Sequence, residues 1–529
     1  MVVKIPKIED IPVEEQTPLV LMLLEYLNLL AEENQALRDE IARLKGQKPK
    51  PKIKPSGLES RRKNKSKTQG KRPGSAKRHK TKNLKIHKTI KISPEDLPLG
   101  SIFKGYNDFV VQGLRLEPFI IKYLLERWVS PDGRSFTGKL PENLNGGHFD
   151  LEFKRFVLYQ HYHCHVTQPI LLEALHDMGF EISAGQLSNI LIEGHELFHD
   201  EKNDILDTGL SVSSHINVDD TTARHKAKNG YCTHVGNDFF ATFHSTETKT
   251  RINFLKILQA GRTEYVINAS ALSYMISQGL PQESLTLITT QFLSVYENDD
   301  AWLDCLKTLD IKKVRHIRII TEGALIGSLV AHGFNLDMVI VSDDAGQFNI
   351  LNHALCWVHA ERLINKLIGL TEEQKQAVQD IRAEIWELYA SLKEFKAQPG
   401  NEKKASIKAK FDAIFTKKTC FASLNNALKR IHRNKRKLLR VLDFPDIPLH
   451  NNLSENDIRE YVKRRKISGS TRSDLGRQCR DTFTSLKKTC RKLTISFWEY
   501  LKDRLSGTNE IPDLSDIITI KALQLSVEL

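Results

Sequence analysis

The stretch His215-Ile216-Asn217-Val218-Asp219-Asp220-Thr221-Thr222 decides how this chain reads. Its apolar run stops at Val218, so the segment predicts a strand ended by an acid, with Asp219 projecting at a sheet edge. Further apolar runs, Gly230 to Val235 and Phe239 to Ser245, follow turn signals at Asn229-Gly230 and Gly236-Asn237, which predicts a three-stranded meander. A helix is expected near Arg251 to Leu258. The pattern of Asp219 repeats much later, where Met338-Val339-Ile340-Val341 leads into Ser342-Asp343-Asp344-Ala345-Gly346-Gln347-Phe348. Either Asp343 or Asp344 can be the functional acid there, the other serving as a helix cap. A third acid, Glu455, lies in Leu449-His450-Asn451-Asn452-Leu453-Ser454-Glu455-Asn456-Asp457-Ile458-Arg459. Helical spacing aligns Glu455 with Ile458, Arg459 and Val462, although Asn452-x-x-Glu455 is also the spacing of a capping box.

Acids at strand ends suit one chemistry in particular. Cutting and joining a phosphodiester calls for a strong oxygen nucleophile and for charge neutralisation at the leaving oxygen, which two Mg2+ ions roughly 3.5–4 Å apart supply when held by hard carboxylate oxygens. About three acids from distant elements must then converge. Taken singly, an acid such as Asp219 is more often an ordinary turn residue. After Glu455 the sequence turns basic, through Lys463-Arg464-Arg465-Lys466 and on to Arg472, Arg477, Arg480, Lys487 and Lys488. These are expected to meet phosphates, with a solvated basic face as the alternative.

Working outward, the 529 residues, 40% hydrophobic, are enough for several compact domains. No run of eighteen apolar residues and no leader pattern occurs, so the expectation is a cytoplasmic, nucleoid-associated chain with no membrane partner. The seven cysteines form no C-x-x-C pair, which points to neither a zinc ribbon nor a disulfide framework. The net charge of +13 is local: Gly46 to Ile92 holds 18 Lys and Arg against one acid, Glu59, and the rest is slightly acidic. Such a stretch buries too little to fold alone and attracts phosphates without regard to sequence. Ahead of it, Val20, Leu27 and Ile41, with Asn34 on the same seam, and Leu23, Leu30, Leu37 and Leu44 keep heptad spacing, so residues 1–45 are expected to form a dimeric coiled coil. Between Gln168 and Leu191, two apolar periods separated by Gly179, with Ser183 as a cap, have the grammar of a helix-turn-helix.

In order and local wording these blocks resemble the IS66 family of bacterial transposases. Val218-Asp219-Asp220-Thr221-Thr222 resembles its first catalytic block, Ser342 to Phe348 the second and Asn451-Asn452-Leu453-Ser454-Glu455 the third, while Cys356-Trp357-Val358-His359-Ala360-Glu361-Arg362 resembles its Cys-Trp-x-His segment. Asp220 stands where a Glu is more usual, and Asn456 where an Arg is common. No cysteine cluster precedes the first block, where family members often bind zinc.

The resemblance implies an α/β chain: an RNase H-like catalytic core with a helical insertion, an N-terminal coiled coil and a helical DNA-binding region. It implies Asp219, Asp343 and Glu455 as catalytic and metal-binding acids for Mg2+, with Mn2+ as a substitute, and Arg459, Lys463, Arg464, Arg465 and Lys466 on DNA. His359 is more often a core histidine, with support of the site as its alternative role. The expected organisation is a coiled coil (1–45), a basic linker (46–92), a helical, helix-turn-helix-like region (93–210), the first part of the core (211–352), a helical insertion (353–445), the Glu helix and end of the core (446–505) and a tail (506–529). Expected partners are transposon-end and target DNA, a second copy of the chain and small accessory proteins of the element. A catalytically inactive DNA-binding derivative, or a nuclease without strand transfer, would share many of these features.

Overall fold

A computed structural model describes residues 11–12, 15–30, 86–94, 99, 101–107, 109–141 and 147–528. The chain divides into two units, Met1–Arg115 and Leu116–Leu529. In the first, residues 18–30 form a helix on which Leu23, Leu27 and Leu30 are exposed. The rest of the heptad stretch and the linker to residue 85 lie outside the described residues.

In the second unit the described residues before 151 contain only the hairpin Arg127–Val129 with Ser135–Thr137. The helices expected from residue 93 therefore begin at Leu151. Gln168–Asp177 and Ala184–Ile192 form the anticipated helical pair. Gly179 takes φ +88° between them, and Ser183 forms a reciprocal capping box with Gln186. Leu171, Leu175, Leu187 and Leu191 are buried. Helix α1, Glu196–Val212, then leads into the central sheet.

That sheet has five strands: β1 (His215–His225), β2 (Lys228–Gly236), β3 (Ala241–Thr246), β4 (Val339–Ser342) and β5 (Asn352–Leu355), in the order β3-β2-β1-β4-β5. β2 runs antiparallel to both neighbours, whereas β1, β4 and β5 are parallel. β4 is fully buried, as its unbroken apolar run requires of a parallel central strand. Its side chains alternate between two cores. Ile340 joins Ile216, Val218 and Val235 in one, and Val339 and Val341 join the helices beyond residue 356 in the other.

After β5 comes α2 (Trp357–Asn365), followed by helices Glu372–Ala397, Asn401–Phe415 and Ala422–Arg433. The insertion thus starts after β5, and His353 to Leu355 belong to the sheet. Trp357 seals its root: buried, it donates from Nε1 to the Leu438 carbonyl at 2.9 Å. The chain returns through α3 (Asn452–Ser468) and α4 (Asp474–Lys492), then helices Phe497–Ser506 and Leu514–Glu528. The last of these makes the unassigned tail helical and buries Leu514 and Ile518 in the main core.

α4 also closes one edge of the sheet. The β3 amides of Ala241, Phe243 and Ser245 donate to Thr489 Oγ1 (3.2 Å), Ser485 Oγ (2.9 Å) and Asp481 Oδ2 (2.6 Å). Four helical residues rise about 6 Å and two strand residues about 6.7 Å, so acceptors every fourth residue on α4 match donors every second residue on β3.

Candidate metal and nucleic-acid site

Asp219 was expected to end its strand, and it does not. β1 continues to His225 because antiparallel pairing with β2 persists from Asn217–Gly236 to His225–Lys228. What ends near Asp219 is the parallel pairing, at Asn217 with Val341. That register directs the end of β4, and Asp343 just beyond it, toward Asp219, whose carboxyl feels the Asp343 charge. Strand alternation puts Asp219 on the face of Asn217 and Val341, beneath the insertion, and Asp220 on the other.

The two neighbouring acids are treated differently. Asp220 accepts from Thr233 Oγ1 and Gln347 Nε2, and Lys249 Nζ lies 3.9 Å away. Asp219 accepts its own neighbour's amide, Asp220 N, at 2.8 Å. Burial pushes the Asp219 carboxyl up to about 7, and the negative charges of Asp343, Asp220 and Glu455 add to the rise. The second block also resolves into two roles. Asp343 Oδ1 accepts from Ala345 N at 3.1 Å and contributes to the field on Asp219. Asp344 turns to the insertion, where Arg430 and Asn434 reach its Oδ2 at 3.3 and 3.4 Å.

Glu455 is positioned by a buried asparagine. Asn451 Nδ2 donates to the Val218 carbonyl at 2.8 Å, and its Oδ1 accepts from Asn217 Nδ2 at 2.9 Å, which fixes the start of α3 to β1 next to Asp219. Asn451 N donates to Cys356 Sγ at 3.2 Å, and Trp357 N to the Leu449 carbonyl at 3.0 Å, so the Cys356-Trp357 junction holds the same segment from the other side. The capping-box alternative is not realised. The N-cap is Asn451, its side chain caps no helical amide, and Glu455 faces α2 instead. Glu455 Oε1 lies 3.4 Å from Arg362 NH1 and 3.6 Å from His359 Nε2.

These acids suit a hard divalent cation by chemistry: carboxylate oxygens, surplus negative charge, and an Asp219 carboxyl that burial and the neighbouring acids hold up at about 7. They are not drawn into a closed cluster. Among the described residues no group of three His, Cys, Asp or Glu side chains is set to hold a metal ion. Glu455 leans instead on Arg362 and His359.

The basic residues divide by helical face. Arg459, Lys463 and Lys466 are exposed on α3, and Arg465 is half-buried, donating to Thr221 Oγ1 at 3.0 Å. Arg464 points inward. It is 5% exposed and donates to the His161 carbonyl, because it shares the buried stripe of Ile458 and Tyr461. Arg480 is buried as well, stacked on the Tyr461 ring. Lys487 and Lys488 pair with Glu460 at 2.5 Å and Asp457 at 3.0 Å. These four hold the helices together and do not face phosphates. Of the later bases, Arg472 is exposed and Arg477 is half-buried beside Asp474.

Of the residues near the acids, Lys366, Arg430 and Asn434 carried no signal in the sequence, whereas Arg362 ends the Cys356 to Arg362 segment. Arg362, Lys366, Arg430 and Asn434, all from the insertion, join Asp343 and Asp344 around a cavity of about 380 Å3. Only the fold brings Arg430 and Asn434, 86 and 90 positions from Asp344, to it there.

Fold and site together define a mixed α/β chain that gathers acids on one face of a five-stranded sheet, under a helical insertion. The family model described as Transposase IS66 family matches residues 323–479, which include Asp343 and Glu455 and leave Asp219 upstream. The uncharacterized protein y4jO of Sinorhizobium fredii is 40% identical over 321 residues, which is 60% of this chain and 100% of that protein. The chain belongs to the IS66 family of transposases. Among the described residues, no helix is long and apolar enough to cross a membrane.

Proposed function

We propose that this chain is a DDE-type transposase that cuts DNA at the ends of its element and joins the freed 3′-hydroxyls to target DNA. The strand order β3-β2-β1-β4-β5 with β2 antiparallel supports an RNase H-like core. The observation that carries the reading is the convergence on Asp219. The β1–β4 register directs Asp343 toward it, and Asn451 ties the Glu455 helix to Val218 beside it. In this reading Asp219, Asp343 and Glu455 hold Mg2+ or Mn2+, which when bound supplies positive charge against the phosphodiester. Arg362 and His359 hold Glu455 in readiness until the ion arrives. Arg459, Lys463, Arg465 and Lys466 steady phosphates, with Arg465 bracing the β1 tip through Thr221. Arg464 has no part in DNA binding.

Residues 1–45 join two copies as a coiled coil, and the basic stretch that follows tethers them to DNA. Deleting residues before Gly46 is expected to halve the mass in sedimentation; an unchanged mass overturns the coiled-coil dimer. Small proteins encoded by the same element are further partners, and DNA as substrate places the work at the nucleoid.

The test is a duplex carrying the element's end, incubated with purified protein and Mg2+. Wild type is expected to nick at the end and give joined products with a target duplex. Glu455→Gln is expected to bind the end and leave it intact. Nicking by that variant at the wild-type rate removes Glu455 from the reaction, and nicking without joined products reduces the activity to that of a nuclease.

A further inference from the structure

The cavity beside Asp343 has a lining that the three acids do not explain. One wall is α2 and another is the insertion helix Ala422–Arg433, and the end of β4 forms the rim next to the acids. Its size, about 380 Å3, falls within the roughly 300–1,000 Å3 typical of small-ligand pockets. Leu363, Ile431 and Leu438 make the interior apolar, while Arg362, Lys366 and Arg430 bring three cations to the same walls. Two of those cations are loosely engaged: Arg362 lies 3.4 Å from Glu455, and Arg430 3.3 Å from Asp344, with side chains 42% and 53% exposed. Lys366, at the C-terminal end of α2, is exposed and makes no ion pair among the described residues.

An apolar interior with a cationic wall fits a ligand that has a flat, weakly polar body and an anionic attachment. Stacked duplex DNA presents no such body to a pocket, whereas a single nucleotide rotated out of the helix presents both. Because the rim is Asp343 itself, the nucleotide that enters is one close to the scissile phosphate. Resting on the proposed transposase activity, we infer that this cavity takes one unpaired nucleotide from the DNA end, its base against Leu363, Ile431 and Leu438 and its phosphate on Lys366, Arg362 and Arg430. Extruding a base costs its stacking and pairing. The helical insertion offsets that cost and thereby couples strand opening to the site of cutting.

The experiment uses full-length protein and end duplexes carrying 2-aminopurine at each of the terminal positions in turn, with Ca2+ replacing Mg2+ so that binding is read without cleavage. Wild type is expected to raise the fluorescence severalfold at one position and to leave the others near their free values. Leu363→Trp, which fills the cavity, should bind the end within about threefold of wild type, lose the fluorescence rise and cut in Mg2+ at least tenfold more slowly. An abasic nucleotide at the reporting position should restore part of that rate. Lys366→Ala, at an exposed position where folding is not at stake, should reduce the rise, and Lys366→Arg should keep it. A wild-type protein that binds and cuts with no rise at any position overturns the extruded nucleotide and leaves the transposase reading standing. A rise without Mg2+-dependent cutting supports the pocket and removes the catalytic reading, and absence of end binding removes both. A rise that survives both Leu363→Trp and Lys366→Ala places the base elsewhere and overturns the assignment.

Discussion

Asp219 and Asp457 are both largely enclosed carboxylates, and the fold surrounds them in opposite ways. Asp457 lies on α3, two residues after Glu455, with Lys488 at 3.0 Å, Lys492 at 2.8 Å and His234 at 3.2 Å. Burial pushes its carboxyl up, but His234, Lys492 and Lys488 outweigh that and hold it well below the usual range. One turn on, contact with His165 and then Lys487 does the same for Glu460. Among the described residues Asp219 has no cationic partner. Its neighbours are other acids, and its carboxyl is held up at about 7. A buried acid that glues elements together is supplied with its cations by the chain, whereas one crowded by other acids is left short of positive charge at a cost in stability.

The sharpest way to break this contrast is to delete each acid and read stability and activity together. Asp457→Ala strands Lys488 and Lys492 beside a buried gap, and a loss of about 3–5 kcal/mol in urea unfolding is expected. Asp219→Asn should do the reverse: end cutting falls at least about 100-fold, equivalent to about 2.7 kcal/mol, while the melting temperature stays level or rises as like-charge crowding is relieved. A marked loss of stability in Asp219→Asn would mean that this acid is structural after all. Mg2+ sharpens the same point. It should raise the melting temperature of wild type, because an ion that binds the folded chain stabilises it by mass action, and leave Asp219→Asn unmoved.

Acid supplies a further separation. Asp457 and Glu460 have folded-state values below their ordinary ones, so their stabilisation is complete above about pH 4–5 and is lost as pH falls through and below that range. Thermal melts from pH 6 down to pH 3 should fall accordingly, and the fall should be shallower in Glu460→Gln. The smallest effect expected is at the sheet edge. Ser485→Ala removes the acceptor for the Phe243 amide and should cost about 1 kcal/mol, with end binding unchanged.

The sequence disclosed four of the five sheet strands, because each holds a compact apolar run beside a turn signal, and it missed β5, whose His353 to Leu355 were assigned to the helical insertion. It misjudged where β1 stops. The apolar pattern ends at Val218, but pairing with β2 carries the polar Asp220-Thr221-Thr222 onward, and Arg465 satisfies the Thr221 hydroxyl. It also grouped Arg464, which is buried, with its exposed basic neighbours. Arg464 stands three residues after Tyr461 and six after Ile458, so its inward position was written in the helical period and obscured by its charge. Nothing local announced Arg430 or Lys366 as neighbours of Asp343. That proximity arises only when the insertion folds onto Val339, Val341 and Leu355, and contacts between distant segments leave no periodic trace.

The match to the family model stops at residue 479, and Asp481, Ser485 and Thr489, which clothe the rim of β3, come directly after it. A polypeptide interrupted there would retain Asp219, Asp343 and Glu455 and still carry a naked strand with amides facing water, an open template for pairing with its own kind. Prematurely terminated copies should therefore collect as insoluble aggregates, so that α4 makes solubility depend on a chain read through past Thr489.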